Sequence, residues 1–156
     1  MNVKNFSIRV YGILINEAKQ VLVSDEYIRG SYFTKFPGGG MEVGEGTKDC
    51  LIREFMEELQ LPIAVGKHIY TTDFYQQSAF NAALQIVSIY YFVTPLQQFN
   101  TQIKLTPFAY DEEQLAKYEQ TKQIESCRFV NWDNFSTETV TLPIDKIVAQ
   151  LLKDNF

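Results

Sequence analysis

The sequence predicts a mixed α/β fold, a mixed β-sheet with helices against both faces, and three observations carry that prediction. Two segments, beginning at Thr47 and at Pro143, repeat apolar residues at helical intervals. Runs rich in β-branched and aromatic residues lie around and between them. The third observation is size: 156 residues, 46% hydrophobic and 14% aromatic, can bury one sizeable core and are short for two. Residues 1–156 are therefore expected to form a single domain.

In chain order, Ser7 to Ile15 reads as a strand. Asn16-Glu17 then suggests a turn into a second strand at Gln20 to Ser24, so the start predicts a hairpin. Ser31 to Phe36 is a third strand, stopped by Pro37-Gly38-Gly39-Gly40, where positive φ and close backbone approach become possible. Thr47 to Leu59 follows as a helix, with Thr47 as its N-cap and Asp49 placing negative charge in the first turn. Strands are predicted near Ile69 to Phe74, Leu84 to Val93 and Cys127 to Trp132. A last helix begins at Pro143, a residue suited to a first turn, with Ile144, Ile147, Val148, Leu151 and Leu152 on one face.

Composition removes several classes of function. The opening Met1-Asn2-Val3-Lys4-Asn5 offers no signal-peptide pattern, and the most apolar run, Leu84 to Val93, is about half a membrane span. A cytoplasmic protein without a membrane partner is expected. Cys50 and Cys127 are the only cysteines and His68 the only histidine, so neither a disulfide framework nor a thiolate zinc site is expected. With 19 acidic against 14 basic residues and a net charge of -5, the surface should repel a nucleic-acid duplex. Acting on an anionic substrate would require a cationic bridge.

The helix at Thr47 to Leu59 supplies a place for one. At roughly 100° per residue, with Glu54 at zero, Glu58 falls at about 40° and Glu57 at about 300°. Three carboxylates share one face, while Ile52, Phe55, Met56 and Leu59 fall between about 100° and 200° and predict the buried side. Like charges three and four residues apart repel. Hard oxygen donors of this kind suit magnesium, or manganese, held together with substrate phosphates and water. Arg53 is the one cation in the cluster, and its planar fork can clamp one or two carboxylates in a way lysine cannot.

Gly39-Gly40-Met41-Glu42-Val43-Gly44-Glu45, seven further residues, and Arg53-Glu54-Phe55-Met56-Glu57-Glu58-Leu59-Gln60-Leu61 closely resemble the Nudix box. The lead-in Phe36-Pro37-Gly38-Gly39 also matches. One position departs: Gln60 stands where the family has glycine, at a C-cap that favours left-handed backbone, so altered helix termination is expected and no lost ligand. The resemblance implies a Nudix α/β/α sandwich with a mixed β-sheet. It also implies hydrolysis of a diphosphate linkage in a nucleoside diphosphate derivative, by attack of water on phosphorus. Glu54, Glu57 and Glu58, helped by the Gly38 carbonyl, would bind Mg2+ or Mn2+. Glu45 would be an auxiliary acid, Arg53 the orienting cation, and Glu54 the first candidate general base, with Glu112, Glu113, Glu119 and Glu125 as loop alternatives.

Arg29, Tyr32, Lys35 and Tyr75 are the expected substrate contacts. The substrate would be a small nucleotide-like molecule and the protein a monomer or, by resemblance, a homodimer. His68 and both cysteines are read as structural, and Asp111-Glu112-Glu113 as a solvated helix start. The competing reading is a Nudix-fold module that senses a nucleotide without cleaving it. Retention of Arg53, Glu54, Glu57 and Glu58 argues against it, since a sensor need not keep a self-repelling cluster.

Overall fold

The computed structural model describes residues 3–99 and 102–156, so the part of the N-terminal reading that falls on Met1 and Asn2 lies outside the described residues. The fold is mixed α/β, with its strands divided between two four-stranded mixed sheets. Its contacts fall into two compact units, one ending at Ile13 and resuming at Gly38, the other built from Leu14–Pro37 and the chain beyond Thr101.

The first unit holds β1 (Asn5–Ile13), β2 (Gly38–Gly40), α1 (Thr47–Leu59), β3 (Ile63–Thr71) and β4 (Leu84–Pro95). The sheet order is β2-β1-β4-β3, with β1 parallel to β4 and the other pairs antiparallel. Val10, Ile13, Tyr90 and Val93 from the strands and Leu51, Phe55 and Leu59 from α1 are buried together in this unit. The β1 and β4 register sets Tyr11 opposite Tyr90, and their rings stack with centroids 5.3 Å apart. Strand β3 begins six residues earlier than the predicted Ile69, because register shifts on either side of His68 hide its alternation.

The second unit holds β5 (Gln20–Ile28), β6 (Ser31–Lys35), β7 (Ile103–Lys104), α2 (Glu112–Thr121), β8 (Gln123–Asn131) and α3 (Pro143–Asn155). Its order is β6-β5-β8-β7, with β7 parallel to β8. Val21, Leu22, Val23, Phe135, Val148 and Leu152 are among its most completely buried apolar residues. Pro143 opens α3 as expected. Asp111 caps α2 by accepting from the Gln114 N–H at 2.8 Å, with Glu112 and Glu113 in the first turn, so the acidic run is a helix start.

The predicted opening hairpin is corrected. Leu14 to Asn16 alone turn back on β5, through Leu22 N–H to Leu14 O at 3.0 Å, an Ile15–Val21 bridge and Asn16 N–H to Gln20 O at 3.0 Å. Strand β1 itself pairs with β2 and β4. Local turn chemistry suggested the nearest partner, whereas the ladder chose one distant in sequence.

At Gln60 helix α1 keeps the left-handed C-cap that glycine favours, so the expected change of helix termination is not seen. Gln60 sits at φ 48, ψ 37, its N–H bonded to Met56 O at 3.1 Å. A side chain in this left-handed conformation costs about 1–2 kcal/mol, which glycine relieves while losing part of the gain to unfolded-chain entropy. Gln60→Gly is expected to stabilise the fold by about 0.5–1 kcal/mol and raise the thermal midpoint by roughly 2 °C. Calorimetry checks this.

Candidate active site

The site is assembled within the first unit from β2, the loop after it and α1. The three-residue strand β2 lies antiparallel to β1, with Gly38 opposite Tyr11 and Gly39 opposite Val10. Gly38 has φ 149, and a Cβ there would collide with the Val10 carbonyl oxygen. At Gly39 a Cβ would stand 2.5 Å from Glu54 Cδ. The glycines therefore let backbone lie directly against a carboxylate, a contact no other residue permits.

The loop then enters α1 through Gly46, which occupies the N-cap in place of the predicted Thr47. Asp49 accepts from the Gly46 N–H at 3.1 Å, and the Thr47 hydroxyl instead shares a 2.7 Å hydrogen bond with the Tyr91 hydroxyl. Gly46 has the extended backbone of an N-cap, φ -82 and ψ 173, which any residue can adopt, and Asp49 stands at the N3 position that pairs with it.

The buried side of α1 also differs from the predicted one. Cys50, Leu51, Phe55 and Leu59 are buried, while Ile52 and Met56 are 40% and 45% exposed. The buried stripe is thus turned toward the carboxylates, because the glycine loop covers that side of the helix. Glu54 lies half-enclosed as a result, its side chain 12% exposed, against 59% for Glu57. Glu58 is half-buried on the same face.

Arg53 ties the loop to the helix. Its Nη2 and Nε donate to the two Glu45 oxygens at 2.6 and 3.0 Å, a fork-on-carboxylate pair, and Nη2 also donates to Gly40 O at 2.9 Å. Nη1 donates to Glu54 Oε1 at 3.0 Å and Glu57 Oε2 at 3.2 Å. One guanidinium thus relieves the repulsion of three carboxylates and fixes Glu54. These bonds raise the Arg53 pKa further, and in return the Arg53 hydrogen bond, then the Glu42 N–H, lower that of Glu45 to about 2.

Because the folded-state value of Glu45 lies below its ordinary 4.5, its contribution to stability is full above pH 4.5 and is lost as pH falls through about 2. The stability difference between the native chain and Glu45→Gln, measured by urea unfolding, is expected to be level above that window and to vanish toward its acid end. A difference independent of pH would contradict the clamp.

Among the described residues no three acidic, histidine or cysteine side chains converge as a ready-made cage. Magnesium does not require one, since it takes one or two carboxylates and completes its octahedron with water and phosphate. The donor chemistry fits such an ion: Glu54 is held beside backbone at Gly39, and Glu57 and Glu58 lie one turn further on.

The sequence pattern of the NUDIX domain matches residues 6–151. The chain belongs to the Nudix family. The enzyme class that goes with it is that of pyrophosphohydrolases acting on phosphorus-containing anhydrides. No curated protein matches the sequence. Many solved structures are similar to it, and three illustrate the likeness. The ORF135 protein of E. coli has 13% identity and a TM-score of 0.68, over 96% of this chain and 90% of that one. A MutT protein from Methanosarcina mazei has 15% identity and a TM-score of 0.65, over 97% and 96%. An ADP-ribose pyrophosphatase from Streptococcus suis has 14% identity and a TM-score of 0.53, over 96% and 92%. At these identities the likeness is one of fold.

Within this Nudix chain the remaining expected residues are dispersed. Arg29 is exposed at the β5–β6 turn with φ 48, its N–H bonded to Lys122 O. Tyr32 stacks on Tyr27 at 4.3 Å. Lys35 is buried, with Nζ 3.2 Å from Glu26 Oε1. Tyr75 is exposed in the loop after β3. Glu112, Glu113, Glu119 and Glu125 all belong to the second unit, where Glu119 pairs with Lys122. His68 bonds Thr71 Oγ1, and both cysteines are buried, Cys50 donating to Gly39 O at 3.8 Å. Burial pushes the Cys50 thiol up to about 12, leaving it inert as a nucleophile. Sequence reasoning missed the Gly40 carbonyl and Glu42 N–H that complete the clamp, and the third consecutive glycine was the only available signal.

Proposed function

We propose that residues 1–156 form a single Nudix hydrolase domain that cleaves a diphosphate linkage in a nucleoside diphosphate derivative, such as a nucleoside triphosphate, a nucleotide sugar or ADP-ribose. The observation that carries this reading is the Arg53 clamp, which fixes Glu54 beside the Gly39 backbone with Glu57 on the same guanidinium. Glu54, Glu57 and Glu58 with the Gly38 carbonyl are the proposed ligands of Mg2+, or of Mn2+. A divalent ion there would lower the pKa of the attacking water and neutralise charge on the phosphate oxygens.

The rest falls to the chain's own residues. Glu54 takes the proton of the water, Arg53 holds its carboxylate in place, and Glu45 holds Arg53. Packing of Gly39 against Glu54 restricts water on one side of that carboxylate. Arg29 and Tyr75 keep exposed side chains and are the proposed substrate contacts, whereas Lys35 is buried and committed to Glu26. No described helix is long and apolar enough to cross a membrane. We take the protein to be cytoplasmic, a monomer or homodimer, with a small-molecule substrate.

Product analysis over nucleoside triphosphates, nucleotide sugars, ADP-ribose and dinucleoside polyphosphates, with magnesium and with chelator, tests the proposal. Cleavage of one class that stops with chelator is expected. Tight binding of one class without cleavage of any would replace the hydrolase by a sensor.

A further inference from the structure

The second unit contains an open cavity of about 640 Å³ that the chemistry above does not use. Tyr32, Phe108, Arg128, Asn134 and Glu138 are among its lining, and none belongs to the glycine loop or α1. We infer that this cavity is a second ligand site, taking an uncharged planar heterocycle of the nucleoside type.

Its wall is aromatic and backed. Tyr32 is 54% exposed, yet it stacks on Tyr27 at 4.3 Å, Tyr27 stacks on Tyr118 at 4.1 Å, and Phe108 meets Tyr32 edge-on at 4.9 Å. The Tyr118 hydroxyl accepts from the Gly30 N–H at 2.7 Å, fixing the far end of the stack to the β5–β6 turn. Phe108 has φ 54, uncommon for a bulky residue, and is held there as its N–H donates to Asp25 Oδ2 at 3.2 Å. The structure thus maintains a strained backbone that brings this ring to Tyr32.

The polar part of the lining selects against charge. Asp25 is fully buried and receives Arg128 Nε at 2.7 Å and Nη2 at 3.3 Å, so the two charges cancel. Nη1 of Arg128 has no acceptor among the described residues, nor has the exposed Asn134 amide a partner. A heterocycle edge offers acceptors and donors of the kind these groups lack. Glu138, exposed at the cavity, leaves one net negative charge that opposes a phosphate. A stacked, uncharged base meets all three conditions, and a nucleotide fails the last.

The full chain should be titrated calorimetrically in chelator, which keeps metal-dependent binding at α1 out of the measurement. The probes are adenosine, guanosine, cytidine and uridine, and their 5′-monophosphates. At least one nucleoside is expected to bind, with its monophosphate about fivefold weaker and Glu138→Gln narrowing that gap. Tyr32→Ala should weaken the nucleoside about tenfold, the loss of one base–aromatic stack. Should Tyr32→Ala unfold, as circular dichroism would show, the surface variant Asn134→Ala decides, with weakened binding expected. No nucleoside binding, a monophosphate bound as tightly as its nucleoside, or affinity indifferent to the substitutions at Tyr32 and Asn134 would each overturn the inference.

Discussion

Arg53→Lys is expected to lower turnover on the order of 100-fold, the size of effect that an ångström of misplacement in a catalytic group produces. Lysine keeps the charge but not the fork. Arg53 makes five bonds to oxygen at once: two to Glu45 and one each to Gly40 O, Glu54 and Glu57. A single ammonium cannot span Glu45 on the loop and Glu54 on the helix with the same geometry. Glu54 would then swing and the loop would loosen, with stability falling by about 1–3 kcal/mol as half-buried partners lose their donor. Steady-state kinetics beside urea unfolding separates the two effects, and an unchanged kcat in Arg53→Lys would remove the clamp from the account.

Gly39→Ala has a comparable expected effect by a different route. The added methyl would lie 2.5 to 2.6 Å from three atoms of the Glu54 carboxyl group, closer than real Cβ contacts allow. Either β2 moves away from α1 or Glu54 leaves Arg53. Both outcomes displace the proposed base, so turnover should again fall on the order of 100-fold, with an overpacking cost of about 1–3 kcal/mol. The readout is kcat at a temperature where circular dichroism shows the variant folded. Full activity there would mean that contact between loop and carboxylate is unnecessary.

Legibility of the fold followed sequence distance. Helix α1, the helix start at Asp111-Glu112-Glu113 and the Pro143 start of α3 depend on neighbours within a turn, and each could be read from the chain. The partners of β1 could not, because residues such as Ile13 pair with Phe92 and nothing local specifies that choice. Strand β7 has only two residues, too few for a pattern.

The site divides in the same way. The acidic face and Arg53 were readable from helical spacing. The turn of the buried stripe toward Glu54 was not, since it comes from the glycine loop packing on the helix. Nor was the pairing of Asp25 with Arg128, 103 residues apart. Both strands carry it on matched faces only once the sheet has formed.

The most direct test of the central claim is turnover of Glu57→Gln beside the native chain, at saturating magnesium, on whichever substrate the panel identifies. The carboxamide keeps the size of the side chain and removes the anion, at a position already 59% exposed, so the melting profile should barely change. A fall in kcat on the order of 100-fold or more, the loss of a proposed metal ligand, is the predicted result. Native turnover in Glu57→Gln, with the same dependence on magnesium, would contradict it.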